Sequence, residues 1–88
     1  MTKRVGKMTT KQIKQASNIP PDPEEMNDLR AHWAGSALRD FRENTGTDLE
    51  DAVSDLLTDL MHWCDRHGQD FEHELRRACL HYEAETEA

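Results

Sequence analysis

The sequence predicts an all-α fold, a three-helix bundle with helices at about 23–44, 48–67 and 71–84. Three observations carry that expectation. Apolar residues recur at spacings of three and four from Met26 to Tyr82 and nowhere alternate as they would along a strand. Gly46 and Gly68 directly follow the periodic segments, where a left-handed residue ends a helix. Pro20, Pro21 and Pro23 divide the periodic region from an N-terminal stretch without it.

The first helix opens at this boundary. Asp22 stands at an N-cap, Pro23 at the first helical position and Glu25 three residues past the cap. Its apolar positions are Met26, Leu29, Trp33, Ala34, Ala37, Leu38 and Phe41. Arg30 and Asp40 fall at the edge of that arc, with stems along the apolar surface and charged heads in water. The connection Thr45-Gly46-Thr47 is short enough to make the first two helices neighbours.

The second helix organises the chain. Thr47-Asp48-Leu49-Glu50 reads as a capping box, in which the Thr47 hydroxyl and the Glu50 carboxylate accept each other's backbone N–H. Leu49, Ala52, Val53, Leu56, Leu57, Leu60, Met61, Trp63 and Cys64 then fill an arc of roughly 180°, against about 100° for an ordinary surface helix. A helix so widely apolar touches two neighbours. Its other face carries Asp51, Ser54, Asp55, Thr58, Asp59, His62, Asp65 and Arg66.

Asp70 or Gln69 caps the third helix, whose apolar positions are Phe71, Leu75, Ala78, Cys79 and Tyr82. Antiparallel pairing outward from Gly68 sets Cys64 near Leu75, Leu60 near Ala78 and Leu56 near Tyr82. That register holds the two cysteines farther apart than the ~7 Å a disulfide spans, predicting two free, buried thiols. Trp33 and Trp63 lie on predicted core faces, and residues 85–88 should fray.

The 88 residues form one domain at most, read as a flexible, disordered basic arm, 1–20, and an acidic helical domain, 21–88. A core drawn from so few residues needs close packing or association. No apolar run reaches the ~18 residues of a membrane span, and none has the flanks of a signal peptide. With unpaired cysteines, the expected compartment is the cytoplasm. The net charge of −7 is unevenly placed: the arm holds Lys3, Arg4, Lys7, Lys11 and Lys14 and no acid, and the remainder sets six Arg against eighteen Asp and Glu. An acidic globule repels nucleic acid, so any phosphate contact falls to the arm.

Chemistry-bearing constellations are sparse. His62, Cys64 and His67 form H-x-C-x-x-H, but residues two apart on a helix point to different sides, and a zinc site needs four converging ligands. The row Asp51, Asp55, Asp59 lies opposite the apolar arc and faces water, so it lacks a facing set of carboxylates. Cys64 has His67 within reach but lies on the core face, where a thiol loses reactivity. The expected function is therefore non-enzymatic, with no cofactor and no metal. The acidic face (Asp51, Asp55, Asp59 and His62) binds a protein partner, in the sharper form by imitating a phosphate backbone. Leu80 lies opposite the third helix's apolar stripe with Ala84 beside it, a second contact surface for a partner or a homodimer. The first alternative is nucleic-acid binding through the arm, and the second is a metal-binding or hydrolytic helical protein.

Residues 55–85, DLLTDLMHWCDRHGQDFEHELRRACLHYEAE, resemble a group of short uncharacterised bacterial proteins, several carried by phages and plasmids. The shared pattern is the Asp-Leu-Leu run, His62-Trp63-Cys64-Asp65, Gly68, Asp70-Phe71 and His81-Tyr82, about a third of the chain. The resemblance implies no activity and no cofactor. It points to mobile-element biology, where small acidic proteins inhibit host proteins by binding them.

Overall fold

A computed structural model describes residues 19–88. These form three helices, α1 (Asn27–Thr45), α2 (Leu49–Arg66) and α3 (Phe71–Thr86), with no strand among the described residues. The predicted all-α, three-helix architecture is the one observed. Most of the arm, with Lys3, Arg4, Lys7, Lys11 and Lys14, lies outside the described residues.

α1 starts four residues later than its spacing suggests. Glu25 has φ 60, and its N–H donates to the Asp22 carbonyl at 3.0 Å, closing a turn before the helix begins. A left-handed, non-glycine residue cannot continue a right-handed helix. Asp22 still caps, one turn further on: its carboxylate accepts from the N–H groups of Met26 and Asn27 at 3.1 and 3.2 Å. α1 ends at Gly46, φ 75, whose N–H returns to the Arg42 carbonyl at 2.8 Å.

The capping box expected at α2 does not form. Asp48 is the N-cap, without a side-chain cap hydrogen bond, and the Thr47 hydroxyl instead lies 2.9 Å from that of Thr45. The connection is too tight to leave Thr47 free. Arg42 Nε also reaches over it to the Thr47 carbonyl at 3.1 Å. At the far end the chain reverses at Gly68, φ 69, where the His67 and Gln69 N–H groups both return to the Cys64 carbonyl. Asp70 caps α3 as predicted, accepting from the His73 N–H at 3.1 Å.

The path of α3 departs from the predicted register. Asn27 Nδ2 donates to the Glu85 carbonyl at 2.9 Å, and Arg30 Nε lies 3.5 Å from Glu85 Oε2. The last turn of α3 thus meets the first turn of α1. In an up-down-up bundle those ends would lie about 24 Å apart, the length of a sixteen-residue helix. α3 is instead a crossbar from the end of α2 to the start of α1, and Tyr82 sits by Asn27 and Ala31 rather than by Leu56. Anchored at Glu85, the helix also continues to Thr86 instead of fraying at 85.

The result is an open bundle. The Cα radius of gyration is 14.4 Å, against about 11–12 Å for a close-packed chain of this length. Ala52 and Cys64 are the buried apolar residues among those described. Ala52 sits in the first turn of α2, where Leu38 and Phe41 of α1 are half-buried, and Cys64 lies at the α2–α3 turn beside Phe71. Most of the predicted core is overturned. Trp33 and Trp63 are 55% and 50% exposed, Cys79 is exposed, and so are Leu29, Leu49, Val53, Leu57, Leu60, Met61, Leu75 and Tyr82, because α3 crosses the bundle instead of running along the apolar face of α2. The cysteines are free, as expected.

Candidate interaction surfaces

α2 presents two contrasting faces. On one, Asp51, Asp55 and Asp59 are exposed at successive turns, about 6 Å apart along the axis. Among the described residues none of the three takes part in an ion pair; those present are Arg30 with Glu24 and Glu85, and Arg77 with Glu74. The hydroxyls between them turn inward to the helix backbone, Ser54 donating to the Asp51 carbonyl and Thr58 to that of Ser54. The carboxylates are left to solvent or to a partner. His62 is exposed beside the row, and its carbonyl accepts from Arg66 Nη1 at 3.2 Å.

The other face is apolar and unexpectedly open. Leu49, Val53, Leu57, Leu60, Met61 and Trp63 are all exposed. Trp63 stacks on His67, ring centroids 4.2 Å apart and 13° from parallel, and His67 Nδ1 lies 2.9 Å from the Trp63 carbonyl. Trp63 also borders a hollow of about 430 Å³ with Leu60, Cys64, Gln69, Phe71 and Glu74. Leu29 and Trp33 of α1 and Leu75 and Tyr82 of α3 add further exposed apolar surface.

Leu80 is 64% exposed and Ala84 is exposed, as the sequence suggested. Leu80 borders a shallow groove of about 330 Å³ with Leu75, Arg76 and Cys79; Ala84 is not part of it. The H-x-C-x-x-H residues do not converge, since Cys64 is buried while His62 and His67 are exposed. Among the described residues no three His, Cys, Asp or Glu side chains are grouped as metal ligands would be. No described helix is long and apolar enough to cross a membrane.

No family model, curated protein or solved structure matches the chain. Function is therefore argued from these surfaces alone. Two features of them escaped the sequence reading. The exposure of α2's apolar face depends on the course of α3, which no periodicity encodes. The Asn27–Glu85 contact joins residues that read as a polar helix start and a fraying tail.

Proposed function

We propose that the chain is a non-enzymatic interaction module, an acidic three-helix unit that acts by binding protein. The supporting observation is the balance of apolar surface: two apolar residues buried, twelve large ones exposed, among the described residues. Monomeric soluble proteins rarely expose contiguous apolar patches beyond a few hundred Å², and larger ones mark interaction sites. The acidic row supplies a second surface, suited to a basic partner such as a protein that handles nucleic acid. Solvated carboxylates about 6 Å apart offer charge to that partner without first breaking an ion pair of their own.

The test uses the full chain as bait for proteins of its own host, beside a variant carrying Asp51→Lys, Asp55→Lys and Asp59→Lys. Circular dichroism should show the same helix content for both, because all three positions are exposed. Loss of a salt-sensitive partner on reversal supports the acidic surface. A partner retained at full affinity retires that surface and leaves the apolar one.

A further inference from the structure

We infer that a second copy of the chain covers the apolar face of α2, the two α2 helices running antiparallel across a two-fold axis. The inference rests on the interaction-module reading and names the partner for one of its surfaces. Leu49, Val53, Leu56, Leu60 and Trp63 are spaced four, three, four and three, the 3.5-residue repeat by which one helix packs knobs-into-holes on another. At its C-terminal end Leu60 and Trp63 share a hollow with Phe71 and Glu74 of α3, yet both remain exposed. Four of its five positions are exposed and Leu56 is half-buried.

Two further points favour a copy of the same chain. Leu49, Val53, Leu60 and Trp63 stay 40–67% exposed, with Leu57 and Met61 exposed beside them, an uncovered apolar strip along the length of α2 of the kind a specific interface, ~800 Å² per partner, is built on. The seam carries no charge, so an uncharged helix of the same repeat fits it, and α2 is one. Charge also sets the direction. Glu50 and Asp51 lie in the first turn of α2 and Arg66 in the last, so antiparallel helices bring the acidic first turn of each copy level with the last turn of the other. Parallel helices would bring the two acidic first turns to the same end. Because each folded body is strongly acidic, the copies repel outside the seam, and added salt tightens rather than loosens the pair.

Sedimentation equilibrium of the full chain tests this. The expected result is twice the 10.2 kDa chain mass, association that strengthens with salt, and a melting temperature that rises with concentration. Val53→Glu with Leu60→Glu should abolish the dimer. Should that variant lose its helices, the concentration dependence of the unaltered chain still decides. In a Cys64→Ala, Cys79→Ser background, chains carrying Leu49→Cys should join chains carrying Trp63→Cys through a short thiol cross-linker. Cross-linking of position 49 to itself with none to position 63 would overturn the antiparallel arrangement. A monomer whose melting temperature ignores a hundredfold change in concentration overturns the dimer. If that monomer binds a hydrophobic dye, the interaction-module reading survives with another protein on the seam; if it binds none, both fall.

Discussion

Removing the clamp between α1 and α3 should free the crossbar while leaving the α1–α2 hairpin in place. The perturbation is Asn27→Ala with Arg30→Met, which deletes the donor to the Glu85 carbonyl at 2.9 Å and the cation 3.5 Å from its carboxylate. The Arg30 and Glu85 side chains are 30% and 32% exposed, so the pair is partly shielded from water. A net hydrogen bond contributes about 1 kcal/mol and a partly shielded ion pair up to about 1 kcal/mol. The two residues are also bonded to each other, Asn27 Oδ1 accepting from Arg30 Nη1 at 2.7 Å, so the contributions do not simply add. A loss of about 1.5 kcal/mol corresponds to roughly tenfold easier local opening. Amide hydrogen exchange reads this directly: protection around Tyr82–Thr86 should fall about tenfold, with little change in residues of α2 around Ala52. Glu24→Gln, which removes only the 3.0 Å outer contact of Arg30, serves as the control. Unchanged protection in α3 would refute the crossbar, and an equal loss in all three helices would show that the clamp holds up the whole fold.

Three other outcomes follow from the same geometry. Gly68→Ala should cost about 1–2 kcal/mol in denaturant unfolding, entirely from a left-handed backbone at φ 69, since no atom lies within 4 Å of the added methyl. Gly35→Ala, mid-helix with equally open space, should stabilise by about 0.5–1 kcal/mol in the same assay; destabilisation would place a neighbour there. With a thiol reagent, exposed Cys79 should react fast and buried Cys64 slowly, giving two kinetic phases of equal size; a single phase would contradict the burial difference.

Much of the local structure was legible in the residues. The turns at Gly46 and Gly68 and the cap at Asp70 each depend on one residue's own backbone or side-chain chemistry, and all three appear where expected. The failures are of two kinds. Near Thr47 and Glu25 a tight connection overrode a plausible capping pattern, because Thr45 and the left-handed turn claimed the groups that pattern needed. At the larger scale, Leu75, Cys79 and Tyr82 do share a helix face, but periodicity says which face is apolar and not what it meets. The direction of α3 is set by Asn27, Arg30 and Glu85, polar residues with no periodic signature. The acidic row is legible as an exposed face, whereas the periodicity of the open seam beside it is that of a core.

That ambiguity bears on function. A 180° apolar arc says that α2 meets neighbours on two sides, and a sequence cannot say whether both belong to the same chain. Here Ala52 and Cys64 are buried on the two flanks of the arc, and the strip between them keeps the spacing that lets one helix pack against another. Fully burying a Leu or Val side chain contributes roughly 1.5–3 kcal/mol, so four seam positions left 40–67% exposed withhold several kcal/mol per chain, a large share of a small domain's stability. A chain of this length gains little from burial inside itself and much from a partner of matching pattern. Association and folding are then coupled. A substitution such as Val53→Glu should lower helix content and oligomeric mass together, whereas Asp55→Lys on the opposite face should change neither.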